Sequence, residues 1–212
     1  MVKKRRGYFI TLEGIEGAGK STHMDFIGKL IALSGRKVLL TREPGGTQTG
    51  NDLRKILLHR RKGQKIDKFT ELLLMFAARQ QHLDEVIRPA LNAGKVVICD
   101  RFTDSTYAYQ GGGRKIKQEI IKQLVKIVHP DIKPDLTLLF DVPVKLGLKR
   151  AGRRAKPDSF ESEKIVFFER VRKSYLKIAK ADSRRVKIID AREDIKSVRY
   201  SIIKILRRRK LC

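Results

Sequence analysis

The stretch Gly14-Ile15-Glu16-Gly17-Ala18-Gly19-Lys20-Ser21 constrains the fold more than any other part of the chain. It matches the pattern Gly-x-x-x-x-Gly-Lys-Ser/Thr, and it stands directly after the apolar run Tyr8 to Leu12 and directly before a helical stretch from about Lys20 to Ser34. Strand, Gly-rich loop and helix in that order build a phosphate cradle. Glycines allow a bend tight enough for several backbone N–H groups to point into one concavity, and the helix N-terminus adds partial positive charge there. Lys20 brings an ammonium to the β- and γ-phosphates, and the Ser21 hydroxyl is placed to ligate Mg²⁺. Gly14, Ile15, Glu16, Gly17, Ala18, Gly19, Lys20, Ser21 and Thr22 are therefore the expected ATP contacts.

Further short apolar runs follow at Lys37 to Thr41, Lys95 to Cys99, Leu136 to Phe140 and Val186 to Ile189. Helical stretches lie between and after them, at about Lys68 to Asn92, from Pro143, at Glu163 to Ala181 and at Asp194 to Arg209. In the longest, Phe69, Leu72, Leu73, Phe76, Leu83, Val86 and Ile87 recur at steps of three and four, and Pro89 is expected to bend the last turn. Strands alternating with helices imply a parallel sheet covered on both faces, an α/β three-layer P-loop NTPase fold with five strands. With 212 residues, the expectation is one domain over 1–212. Asp100 ends an apolar strand, where parallel sheets bind their ligands. It reads either as a carboxylate that holds the metal through water or as a turn residue.

No apolar run is long enough to span a bilayer, and the basic start Lys3-Lys4-Arg5-Arg6 is followed by only a short apolar stretch stopped by Glu13, unlike a signal peptide. Two cysteines, Cys99 and Cys212, indicate neither a disulfide framework nor a zinc site. A reduced, cytoplasmic protein is expected. The net charge of +26 attracts polyanions. The basic residues are spread along the chain, so the expectation is a solvated basic surface, with weak nucleic-acid association as the alternative. A nucleic-acid-associated ATPase is the rival reading from another class.

Several motifs narrow the choice among P-loop enzymes. Thr41-Arg42-Glu43-Pro44-Gly45-Gly46-Thr47, Phe76-Ala77-Ala78-Arg79, Asp100-Arg101-Phe102, the stretch from Ser105 through Tyr107-Ala108-Tyr109-Gln110 to Arg114, Pro134-Asp135-Leu136-Thr137 and Ile189-Asp190-Ala191 occur in this order. Together they resemble the thymidylate kinase family, bacterial type, over nearly the whole chain. The resemblance implies transfer of the γ-phosphoryl group of ATP to dTMP, giving dTDP and ADP for dTTP synthesis, with Mg²⁺ bound by Ser21 and Asp100. It also implies a homodimer through the 68–92 helix, a small lid at about 147–161 and a cis peptide at Glu43-Pro44.

Site residues carry over one at a time. Phe76 and Arg79 share a helix face, so Phe76 is expected to stack on the base and Arg79 to donate to the O4 carbonyl of thymine. Cytosine would leave Arg79 unpaired, whereas uracil, lacking only a methyl, should be rejected by about 1–3 kcal/mol. Arg101 is the expected clamp on the acceptor phosphate. Arg42 and Arg54 read as further phosphate ligands or as scaffold charges. Pro44, Ser105, Thr106 and Gln110 are expected around the base or sugar, and Tyr109 crowds the 2′ position. Glu13 reads as a second acidic group near the acceptor or as a turn carboxylate. Glu16 in the P-loop goes with a lid arginine in this family, here Arg154 or Arg153. Relatives often have Asp-Arg-x-Glu in the lid, whereas this chain has Asp158-Ser159-Phe160-Glu161.

Overall fold

A computed structural model describes residues 7–58, 65–152, 160 and 163–212. Among them, β1 (Tyr8–Glu13), β2 (Val38–Arg42), β3 (Val96–Asp100), β4 (Leu136–Asp141) and β5 (Val186–Asp190) form one sheet in the order β2-β3-β1-β4-β5. Every pairing is parallel. β1, β3 and β4 are buried almost throughout, which is why they read as unbroken apolar runs. The two-residue period divides their side chains between two cores. Ile10, Leu12, Val96, Ile98 and Leu138 pack on one face, and Phe9, Val97 and Cys99 on the other.

The helices are α1 (Lys20–Ala32), α2 (Gln48–Leu58), α3 (Lys68–His82), α4 (Arg88–Asn92), α5 (Thr103–Thr106), α6 (Gln118–Val128), α7 (Val144–Ala151), α8 (Ile165–Ala181) and α9 (Ile195–Arg208). The expected single helix over 68–92 is interrupted by a wide, π-type turn at Leu83–Ile87. Pro89 has no N–H and crowds the carbonyl four residues back, so the turn before it widens. The departure from regular helix therefore precedes the proline. The motif from Ser105 to Arg114 is helical too, with α5 running into a π-type turn at Tyr107–Gly113. Its three glycines argue against a helix by propensity, but they admit α8: a Cβ on Gly113 would lie 2.4 Å from the Phe167 ring.

Register brings the strand ends to one line. Leu12 pairs with Asp100, Asp100 with Arg42, and Glu13 with Leu139. β1 lies between β3 and β4, so its carboxyl end opens at the crevice where the chain changes direction across the sheet. The phosphate loop begins there.

Candidate active site

The loop between β1 and α1 takes left-handed backbone at Gly17 (φ 68°) and Gly19 (φ 90°). Gly17 is also pressed against α7, since a Cβ there would fall 1.9 Å from the Gly147 carbonyl oxygen. Only glycine meets both demands. The Lys20 ammonium folds back onto the loop and donates to the carbonyls of Gly14 (3.0 Å) and Ile15 (3.1 Å). Burial lowers its pKa to about 8, with Arg101 adding to the effect and Asp100, Glu16 and Glu13 opposing it.

From this loop a cleft of about 290 Å³ runs along the strand ends. Glu16, Gly17, Ala18, Gly19, Lys20 and Ser21 line one end, and Pro44, Arg54, Arg79, Thr106 and Gln110 the other. Asp100, Arg101, Ser105 and Tyr109 lie along its wall. The structure thus brings together in one cleft most of the residues expected from the sequence. The Glu43-Pro44 peptide is cis.

Arg101 adopts φ 70°, an uncommon backbone for a side chain of this size, immediately after β3. Its guanidinium donates to Glu16 (2.9 Å) and to the Gly14 carbonyl (3.1 Å), and lies 4.8 Å from the centre of the Tyr109 ring. Tyr109 in turn donates to Glu16 at 2.7 Å. Glu16 is therefore engaged by a cation and a phenol within the P-loop.

At the far end, Arg79 lies between the rings of Phe76 (5.0 Å) and Phe102 (5.1 Å). Its Nε donates to Glu43 at 2.7 Å and Nη2 to Thr106 at 3.0 Å, whereas Nη1 is buried with no hydrogen-bond partner. Burial alone would raise the Glu43 carboxyl, but Arg79 and His82 outweigh it and hold the pKa below its usual value. Gln110 donates its amide to Glu71 at 2.9 Å, and Arg114 grips the same carboxylate. Arg54 lines the cleft while donating to the Pro44 carbonyl at 3.0 Å.

Three expected residues are placed differently. Phe76 is 3% exposed and stands behind the lining, its ring beneath Arg79 rather than bare to a ligand. A planar guanidinium stacks well on an aromatic face, which accounts for the arrangement. Arg42 is exposed at the end of β2 and does not line the cleft. Glu13 is 0% exposed and accepts from the Phe102 N–H (2.8 Å), Ser105 (2.6 Å) and Tyr175 (3.0 Å). It braces the segment that carries Arg101 and Ser105 from behind. Arg153 and Arg154 lie outside the described residues, as do Asp158, Ser159 and Glu161.

The buried Asp100 Oδ1 likewise has no partner, and Ser21 lines the same cleft. Among the described residues no trio of carboxylate, His or Cys groups forms a self-sufficient metal site. An unpaired carboxylate oxygen beside a phosphate loop fits a hydrated Mg²⁺ that also takes oxygens from its substrate.

A second depression on the outer side of the P-loop is lined by Gly17, Gly19, Thr22, His23 and Arg150 on one side and residues of 191–198 on the other. Arg150 donates to the Ala191 carbonyl at 2.6 Å. Sequence reasoning singled out the Ile189-Asp190-Ala191 motif and the basic residues near 150 but assigned neither to this wall. Glu43, Tyr175 and Arg114 were missed too. They act through contacts between residues 36 to 162 positions apart, for which local spacing gives no signal.

A family model described as thymidylate kinase matches residues 12–202. A curated thymidylate kinase of Pseudomonas syringae pv. tomato is 53% identical over 201 residues, covering 94% of this chain and 95% of the relative. That of Methylobacillus flagellatus is 48% identical over 202 residues, covering 95% and 98%. The crystal structure of thymidylate kinase from Ehrlichia chaffeensis superposes with a TM-score of 0.78 at 36% identity, covering 95% of this chain and 99% of that one. Likeness along almost the full length of these relatives agrees with the cleft built above, and by it the chain belongs to the thymidylate kinase family.

Proposed function

We propose that this cleft performs the family's reaction, transfer of the γ-phosphoryl group of ATP to dTMP, with the residues in the following roles. The loop from Gly14 to Thr22 cradles the donor phosphates, and Lys20 neutralises charge on the transferring group. Ser21 and Asp100 would hold Mg²⁺, which when bound spreads the phosphate charge. Arg101, carried by Glu16 and the Tyr109 face, meets the acceptor phosphate. Since Glu16 is held by Arg101 and Tyr109, the P-loop has no further cation to offer. The added positive charge that the transition state calls for is then the work of the lid, through Arg153 or Arg154.

The observation that carries the reading is the unpartnered Nη1 of Arg79, buried in the cleft that begins at the P-loop lysine. A ligand carbonyl such as O4 of thymine satisfies it, whereas the amino group of cytosine does not, and the orphaned donor then costs about 1–3 kcal/mol. Gln110, its amide fixed by Glu71, offers its oxygen to the thymine N3–H. Tyr109 crowds the sugar.

One domain spanning the chain, a homodimer through the 68–92 segment and a cytoplasmic location complete the proposal. In support of the last, no helix among the described residues is long and apolar enough to cross a membrane, and both cysteines are free thiols. The test is ADP release from ATP and Mg²⁺ with dTMP, dUMP, dCMP or no acceptor, with dTDP identified directly, on purified protein and on the cytoplasmic fraction of the source cells. Fast turnover with dTMP, slower turnover with dUMP and a loss of about a hundredfold or more in Lys20→Ala are expected. Hydrolysis indifferent to acceptor would sink the reading.

A further inference from the structure

Arg79 does not hold its orientation alone. Three residues on along α3, and so on the same face, stands His82, which is 0% exposed. Its Nδ1 lies 3.1 Å from Oε1 of Glu43, the carboxylate whose other oxygen accepts from Arg79 Nε at 2.7 Å. Its Nε2 lies 2.6 Å from Oγ1 of Thr41, on β2. An ionised carboxylate only accepts, so Nδ1 bears the proton that faces Glu43, and Nε2 is left to pair with the Thr41 hydroxyl. Thr41, His82 and Glu43 thus form one hydrogen-bonded chain. Gly46 closes against the ring: a Cβ at that position would fall 2.4 Å from His82 Cδ2.

This relay shares out the donors of Arg79. With Oε1 of Glu43 satisfied by His82, the carboxylate needs only Nε from the guanidinium, Thr106 takes Nη2, and Nη1 is left over. If His82 is removed, Oε1 is left buried without its partner. A buried carboxylate oxygen draws the nearest charged donor, here the same guanidinium, and a two-point grip on Glu43 turns Nη1 from the base.

We infer that His82 is a positioning residue for pyrimidine selectivity, which by holding Glu43 through one ring nitrogen and Thr41 through the other keeps Nη1 of Arg79 free for the base. The inference rests on Arg79 reading the base, and the test separates the two. Steady-state kinetics of the full chain are compared for dTMP and dCMP, with ATP varied separately. His82→Leu is expected to raise KM for dTMP about tenfold and to lower the dTMP-to-dCMP ratio of kcat/KM about tenfold, with KM for ATP and saturating kcat within about threefold of wild type. His82→Gln, which retains an N–H donor, recovers most of the ratio. Thr41→Val, a near-isosteric change, shifts the ratio in the same direction by less, and it decides the matter alone if His82→Leu does not fold. A ratio that stays at the wild-type value in these variants, or a loss shared equally by both nucleotides and ATP, overturns the inference. Arg79→Gln is run alongside. If it too leaves the ratio unchanged, the base-reading role falls and this one with it. If it collapses the ratio while His82→Leu and Thr41→Val do not, only the role of His82 falls.

Discussion

Burying a carboxylate among hydroxyl donors brings its proton into play near neutral pH. Glu13 is wholly enclosed, and burial, with Asp104 adding to it, raises its pKa to about 7 against the pull of Ser105, Arg101 and the Phe102 N–H. In the unfolded chain the same group ionises near 4.5. Between these values the folded state holds a proton that the unfolded state has released, so stability falls as pH rises and the contribution is gone above the folded pKa. Glu13→Gln keeps the shape and removes the titration. Urea unfolding at pH 5, 6, 7 and 8 should show the variant gaining on wild type by on the order of 1–3 kcal/mol across that range, a difference constant with pH being the result that refutes it. At this scale, legibility followed locality. Lys20, Asp100 and Arg101 were placed by a loop and a strand end that are continuous in sequence. Arg42 and Glu43 were adjacent in one motif, yet Arg42 is exposed and Glu43 buried against α3. Which of two neighbours turns inward is settled by helices elsewhere in the chain, and so was the enclosure of Glu13 by Tyr175.

Strands and long amphipathic helices were readable because their periodicity is imposed by burial. β1, β3 and β4 are covered on both faces and α8 buries Phe168, Val171 and Tyr175 at helical spacing. α6 was legible but not taken: Ile120, Ile121, Leu124, Val125 and Val128 pack on one side of it. α2 carried a signal as well, with the Thr47 hydroxyl accepting from the Gly50 N–H at its start. The wide turn at Tyr107–Gly113 was not legible, since propensity says nothing of a fifth residue inserted into a turn, whereas at Leu83–Ile87 Pro89 signalled a disturbance but not its form. α3 keeps an unburied apolar edge in which Phe69 and Leu73, one turn apart, are 42% and 57% exposed. The adjoining side is committed to Glu71, Leu72, Phe76, Arg79 and His82. A helix that builds the base site with one face and leaves a bordering apolar edge open to a second copy is the arrangement a dimer through this element requires. Sedimentation equilibrium at micromolar concentration should give twice the chain mass of 24.3 kDa for wild type and the single mass for Leu73→Glu. A monomeric wild type, or a dimer that survives the substitution, removes α3 from the interface.

Across the whole molecule the excess of positive charge is carried on the outside. Of the carboxylates that offset the lysines and arginines, Glu13, Glu43 and Glu71 are 0%, 4% and 1% exposed, and Glu16, Asp104 and Asp141 are held in ion pairs with arginines. These six carboxylates sit in the cleft and its supports, most beside cations of their own, so the net charge of +26 is displayed mainly on the surface. Like charges on a compact body repel, and unfolding relieves them, so added salt that screens them favours the folded state. The Debye length shrinks from about 10 Å at 0.1 M salt to about 3 Å at 1 M, through the spacing at which surface lysines feel one another. NaCl is the salt to use, because sulfate and phosphate would also occupy the P-loop and stabilise by binding. Raising NaCl from 50 mM to 500 mM should lift Tm by at least about 2–4 °C, the equivalent of roughly 1 kcal/mol for a chain of this size. The same change should abolish whatever weak, sequence-indifferent binding to nucleic acid the surface supports. A Tm that stays level or falls in NaCl would mean that the positive charges are already matched within the fold, and the excess would then need a bound polyanion to explain it.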